Sequence, residues 1–193
     1  MATALDAVAW PVRTDRLTLR RAVPGDVEAT WAYRRLPEVG RWLSADSPTL
    51  EEYRERVEEP GRLARSLVIE LAGVVIGDLM VRVEDAWAQA EVTEQARGVQ
   101  AELGWVLDPG HHGQGYATEA VQALLGLCFG ALGLRRVTAG CYAGNERSWR
   151  LMERVGMRRE THTVQEALHR SGEWVDGLGY ALLAEEWTPE RRS

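Results

Sequence analysis

The sequence predicts a mixed α/β domain of the α+β class, with a mostly antiparallel central sheet of about seven strands, flanking helices and one βαβ crossover. Three observations carry this. Short apolar or alternating runs recur from Leu17 to Leu183, and a period of two marks strands. Helical spacing is confined to four segments, after Pro24, Pro48, Gly115 and Asn145. One passage, Leu103–Ala117, reads LGWVLDPGHHGQGYA. It runs from an apolar strand through a glycine loop into a helix, the connection a crossover needs.

In chain order, residues 1–12 read as an arm pinned by Trp10, residues 13–187 as one domain, and 188–193 as a tail. Leu17-Thr18-Leu19-Arg20 alternates as the first strand. Pro24-Gly25-Asp26 opens a helix with Asp26 as N-cap and Val27, Thr30, Trp31 and Arg34 along one side. A second helix spans Pro48–Glu59, with Ser47 as cap and Leu50, Tyr53 and Val57 inward, and Pro60-Gly61 ends it. Ser66–Leu71 and Val74–Val83 form a hairpin turning at Ala72-Gly73. Glu84–Val99, with Glu84, Asp85, Glu91, Glu94 and a lone Trp87, reads as a long exposed loop. It is either plain solvated surface or an acidic lip over a cationic acceptor.

Gln100–Asp108 is the central strand. Gly115–Leu132 is the helix after the loop, apolar on both sides and therefore buried. Arg135–Tyr142 is a further strand. Asn145–Val155 is a short helix with Asn145 as cap, a Glu146–Arg150 pair, and Gly156 as its left-handed stop. Thr161–His169 and Glu173–Leu183 close the chain as a hairpin around Arg170-Ser171-Gly172.

The chain has 193 residues, 45% of them hydrophobic and 27% charged, the composition of a soluble globule with a good core. A net charge of −6 argues against nucleic-acid binding by bulk charge. Every basic residue is Arg, which reflects codon usage more than function. Cys128 and Cys141 read as buried free thiols in a reducing compartment. No CxxC or HExxH spacing occurs, so no metal is expected. Ala117–Leu134, the most apolar stretch, contains Glu119 and Gln122 and is too short to cross a bilayer. The N-terminus carries no basic-then-apolar signal. A cytoplasmic protein with no membrane partner is the expectation.

The glycine loop points to an anionic ligand. Glycines let the backbone approach a phosphate, and a helix start offers unpaired N–H groups and a positive dipole end. No Lys-Ser or Lys-Thr follows Gly115, so this is no P-loop. Thr118 stands where a dinucleotide fingerprint needs its third glycine. The segment His112-Gly113-Gln114-Gly115-Tyr116-Ala117 instead resembles the (Gln/Arg)-x-x-Gly-x-(Gly/Ala) signature of the GNAT N-acetyltransferases, with His112 departing at the first position. Two further segments resemble that family: Asn145-x-x-Ser148-x-x-Leu151 through Gly156, and Gly172-Glu-Trp-Val-Asp176 through Tyr180. The likeness runs from about Arg13 to Trp187 and is closest to the ribosomal-protein N-terminal acetyltransferase branch.

The resemblance implies the GNAT fold, with the crossover at the cofactor cleft, and acetyl-CoA as co-substrate. Backbone of Trp105, Val106 and Leu107 would meet the pantetheine, and amides of His112, Gly113, Gln114, Gly115, Tyr116 and Ala117 the pyrophosphate. Asn145 would approach the cofactor as well. Glu102 interrupts an apolar strand and is either the catalytic base or an outward, solvated residue. Many family members use a Tyr to protonate the thiolate; that position here is Met152, which leaves Ser148 as the acid or simply a first-turn Ser paired with Asn145. The acceptor is a primary amine, at a peptide N-terminus or on a small cationic molecule. An acyl-CoA-binding sensor without turnover is the other reading. The oligomeric state is left open between a single chain and a homodimer.

Overall fold

Leu17-Thr18-Leu19-Arg20 alternates because it lies across a core: Leu17 and Leu19 are buried, whereas Thr18 and Arg20 are only partly covered. This strand, β2 (Leu17–Arg21), follows β1 (Val12–Arg13), whose two residues are too few for a periodic signal. A computed structural model describes residues 4–46, 48–59 and 61–188. The remaining strands are β3 (Ser66–Leu71), β4 (Val74–Glu84), β5 (Gln100–Leu107), β6 (Arg136–Tyr142), β7 (Arg158–Leu168) and β8 (Trp174–Leu183). The helices are α1 (Val27–Arg34), α2 (Pro37–Gly40), α3 (Leu50–Glu58), α4 (Tyr116–Gly126) and α5 (Glu146–Arg154). Eight strands are thus present among the described residues, where about seven were expected.

The chain divides into two compact units, Met1–Val81 with Gly104–Ala123, and Arg82–Leu103 with Leu124–Ser193. In the first the strand order is β1-β2-β3-β4-β5, with antiparallel neighbours from β1 to β4. The β3–β4 turn places Ala72 at φ 49° and Gly73 at φ 82°, the two left-handed positions of a tight hairpin. Leu19, Leu67, Ile69, Ile76 and Leu79 form the centre of its core. In the second unit the order is β5-β6-β8-β7. β5 pairs in parallel with β6 over Gln100, Ala101 and Glu102, and β8 is antiparallel to both β6 and β7. The mixed, mostly antiparallel sheet with flanking helices is the expected fold.

Several local expectations are corrected. Asp26 stands at the N-cap position of α1, but its side chain makes no capping bond: the carboxylate turns back, accepting from the Val23 N–H at 2.8 Å and pairing with Arg20 at 2.8 Å. The inward residues of α1 are Val27, Thr30 and Tyr33. Trp31 stays half-buried with the Arg35 guanidinium 4.9 Å above its ring. Thr49 caps α3 in a capping box with Glu52. Ser47, the expected cap, and Pro60, the expected stop, lie outside the described residues. α2 was not foreseen; it is one turn long, too short for a periodic signal. Within the predicted loop 84–99, Ala90–Ala96 forms a 3-10 helix, and Trp87 is 92% exposed. The long helix after the glycine loop ends its α-helical part at Gly126 and continues as a π-helical stretch, Leu127–Ala131.

Trp10 donates its indole N–H to the Leu5 carbonyl at 2.9 Å, a bond within the arm itself. Gly156 takes φ 90°, the left-handed stop expected of it. No helix among the described residues is long and apolar enough to cross a membrane. Both cysteines are free, and burial pushes the Cys128 thiol up to about 12.

Candidate active site

The first unit holds the glycine loop. β5 ends at Leu107, and Pro109–His111 makes a 3-10 turn that Asp108 caps through the Gly110 N–H at 3.0 Å. Gly113 and Gly115 then take φ 77° and 82°, left-handed conformations that favour glycine. Gly113, Gln114 and Gly115 are exposed, and α4 starts at once with Tyr116. The loop therefore presents open backbone at the positive end of a helix.

Three side chains hold the loop from behind. Arg16 donates to the Gln114 carbonyl at 2.9 Å and stacks over the Tyr116 ring at 4.5 Å. Glu119, in the first turns of α4, accepts from Arg16 Nε at 2.7 Å, from the Arg16 backbone N–H at 2.9 Å and from the Thr14 hydroxyl at 2.5 Å. Thr14, Arg16 and Glu119 were missed by the sequence reading, since the partners lie about a hundred residues apart. The signal present was an acidic residue in the first turn of a helix.

Burial pushes the Glu119 carboxyl up, but the Thr14 and Arg16 hydrogen bonds outweigh it and hold it below its usual 4.5. A depressed carboxylate stabilises the fold above its unfolded value and loses that contribution as pH falls. Arg16 is 45% exposed, so the low end of the range for charged hydrogen bonds, about 1.5 kcal/mol, applies. Glu119→Gln should lower the melting temperature at pH 7 by roughly 3–6 °C. The gap to the unaltered protein should close on acidification below pH 4.5. A gap that persists at pH 3 in paired thermal melts would show that charge is not its source.

The three predicted pantetheine-facing residues do not present alike. The Val106 carbonyl faces Gly77 on β4, and the Val106 side chain packs with Tyr33 and Val39. Peptide groups alternate along a strand, so those of Trp105 and Leu107 point to the opposite edge. The Leu107 carbonyl meets His112 Nε2 at 3.1 Å; a carbonyl only accepts, so this nitrogen is the protonated one. His112 thus braces the end of β5, in addition to its place in the signature.

The second unit holds the remaining predicted residues. Glu102, on β5, is 35% exposed and pairs with Arg82 on β4. It is therefore a partly solvated, partnered carboxylate. Asn145 precedes α5 without using its side chain as cap; its backbone carbonyl accepts from Ser148 N–H at 3.0 Å. The Ser148 hydroxyl is bonded to Cys141 on β6. Burial pushes the Cys141 thiol up, against Ser148 and the Trp149 N–H, which favour its thiolate. Met152 is fully buried, and a thioether has no proton to give. In the loop 84–99 three of the four acids are met locally: Glu84 by Arg82 at 3.5 Å, Glu94 by Arg97 at 2.8 Å, and Asp85 by the Gly98 N–H at 2.8 Å. Among the described residues no cluster of three or more His, Cys, Asp or Glu side chains is arranged to hold a metal.

Residues 16–158 match the model of the acetyltransferase (GNAT) domain. The chain is 42% identical over 86 residues to the uncharacterized N-acetyltransferase YnaD of Bacillus subtilis; the match covers 45% of this chain and spans half the length of that relative. A crystal structure of a GNAT-family acetyltransferase from Bacillus anthracis superposes with a TM-score of 0.76 at 30% identity, covering 91% of this chain and 99% of that one. Mycobacterium smegmatis RimJ, solved in complex with CoA-disulfide, gives a TM-score of 0.70 at 25% identity over 92% of this chain and 85% of its own.

Proposed function

The chain belongs to the GNAT acetyltransferase family, and from that premise we propose that it moves the acetyl group of acetyl-CoA to a primary amine by direct attack in a ternary complex. One observation supports this above the others: an exposed loop, Gly113–Gly115, with two left-handed glycines at the first turn of α4. Amides of His112–Ala117 would hold the pyrophosphate, and the CoA bound by RimJ favours that ligand class. Peptide groups of Trp105 and Leu107 would meet the pantetheine, and Val106 would set their register from the core. Asn145 would lie along the cofactor.

Amine attack on the thioester forms a C–N bond, breaks the C–S bond and needs one proton at sulfur. In this reading Glu102 accepts a proton from the attacking nitrogen, through water, and Ser148 donates one to the thiolate. The acceptor is a peptide N-terminus or a small cationic amine. An α-amine near pKa ~8 needs only about 1.4 kcal/mol of help at pH 7, against roughly 4–5 for a lysine amine near ~10.4. A partly exposed carboxylate suits the smaller task.

The fully buried Met152, where many family members carry a proton-bearing Tyr, favours a second reading: an acyl-CoA sensor without turnover. Thiol release from acetyl-CoA against a panel of N-terminal peptides and polyamines separates the two. Release supports the transferase, and tight CoA binding without release supports the sensor. Ser148→Ala should lower kcat about 10- to 100-fold with little change in the KM for acetyl-CoA. Unchanged kcat in steady-state assays would remove Ser148 as acid.

A further inference from the structure

The second unit holds a histidine–carboxylate pair that the reaction above does not use. His162 Nε2, on β7, lies 2.7 Å from Asp176 Oδ2, on β8, with side chains 51% and 34% exposed. The other Asp176 oxygen accepts from the Gln165 N–H at 2.9 Å. Gln165 sits at φ 47°, inside the register shift between Thr163 and Ala167. A non-glycine residue costs free energy there, and such strain gathers at working sites. It aims a backbone donor at the carboxylate behind His162. That N–H first, and His162 second, hold the Asp176 carboxyl below its usual range.

The position of the pair matters. Leu178 on β8 is opposite His162 on one side and opposite Cys141 on the other. Residues directly opposite share a sheet face, so His162 and Cys141 lie in one row, two strand spacings or about 10 Å apart. Ser148 reaches that row from α5 through Cys141. The Asp176 carbonyl accepts from the Ala143 N–H at 2.9 Å, which ties it to the turn before α5. Charged and titratable groups on this face include Asp176 and Tyr180 of β8, Arg159 of β7, Cys141 of β6, and Glu153 of α5, which accepts from the Tyr180 hydroxyl at 2.9 Å.

We propose that His162, oriented by Asp176, takes the first proton from the acceptor while it is still an ammonium ion. This rests on the transferase reading. The overall reaction converts an ammonium and a thioester into an amide, a thiol and one released proton. Two protons therefore leave nitrogen. The first passes to the ring nitrogen of His162 that faces away from Asp176, and from there to water. The second leaves during attack through water toward Glu102, which the register places with Thr138 and Ala181 on the opposite sheet face, and water returns to Ser148 the proton that it gives to sulfur. An imidazole changes charge near neutrality and suits the first transfer. A carboxylate on its far nitrogen fixes the tautomer and steadies the imidazolium.

The test is the pH dependence of kcat/KM in His162→Ala and His162→Gln, with an alanyl tetrapeptide and with spermine as acceptors. At pH 7 the loss should be about 100-fold. It should shrink to within about threefold at pH 9.5 for the peptide, whose α-amine is by then already neutral. Imidazole in the buffer should restore part of the rate in His162→Ala, which a merely structural role would not allow. CoA affinity by calorimetry should be unchanged in both variants. A wild-type pH profile in both, or a loss independent of pH and refractory to imidazole, overturns the role of His162 and leaves the transferase reading standing. If the unaltered protein binds CoA but releases no thiol with either acceptor, the transferase reading fails and this step with it.

Discussion

Gly115→Asp is expected to weaken CoA binding by at least about 100-fold, or 2.8 kcal/mol, while the protein stays folded. Gly115 is exposed at φ 82°, and a side chain there would meet Arg16 Nη2 3.4 Å from its Cβ, an ordinary contact. Asp is among the residues that visit left-handed backbone, at a cost of about 1 kcal/mol. The loop should therefore survive. Its electrostatics would not, because a carboxylate would stand where the helix end and the loop amides are proposed to receive a diphosphate. Two unit charges about 5 Å apart repel by roughly 3 kcal/mol at an effective dielectric near 20. Gly115→Ala carries the same backbone strain without the charge and should cost only about tenfold. Calorimetric titration of both variants with CoA decides the matter. Equal, small effects would mean that this helix mouth does not hold the anion. Thermal melts within a few degrees of the unaltered protein would exclude unfolding as the cause.

The glycines of this loop were legible in the sequence because their task is local: a positive φ favours glycine whatever the rest of the chain does. The hairpin at Ala72-Gly73 and the stop at Gly156 were legible for the same reason. Partnerships across the chain were not. Glu102 reads the same in sequence whether it faces solvent or, as found, pairs with Arg82. Arg16 and Glu119 each look like ordinary surface charges, yet together they fasten the chain just before β2 to the base of the glycine loop. Helix caps fell between these cases. Ser47 and Thr49 are both competent caps, and the capping box with Glu52, three residues after Thr49, was the cue that separates them. Asp26 failed as a cap because Arg20 and the Val23 N–H compete for the same carboxylate. His162 and Asp176 are fourteen residues apart, and only the irregular register of the β7–β8 hairpin brings them together.

A different glycine should have the largest effect on stability. Gly77 lies on β4 with φ in the ordinary strand region, so nothing about its backbone demands glycine. Space does: a Cβ there would sit 2.6 Å from the Val106 carbonyl oxygen and 3.1 Å from both Ile69 Cδ1 and Leu107 Cδ1. The two methyl groups can rotate away. The carbonyl is backbone and moves only if β5 moves, and Val106 is anchored in turn by Tyr33 and Val39. Overpacking against flexible side chains costs about 1–3 kcal/mol; against a held carbonyl the upper end or slightly more applies. Gly77→Ala should therefore lower stability by about 3 kcal/mol and the melting temperature by roughly 6–12 °C. Gly104→Ala is the matched control, since its Cβ would meet only Met80, at 3.4 Å from the end of a flexible chain, and it should cost under about 1 kcal/mol. The displacement in Gly77→Ala has a second consequence. It shifts the strand whose Trp105 and Leu107 peptide groups are proposed to meet the pantetheine. The KM for acetyl-CoA should rise in Gly77→Ala, measured below its melting range, and stay unchanged in Gly104→Ala. A fully stable Gly77→Ala protein would show that β5 yields freely, and a strand that yields cannot hold a thioester in register for attack.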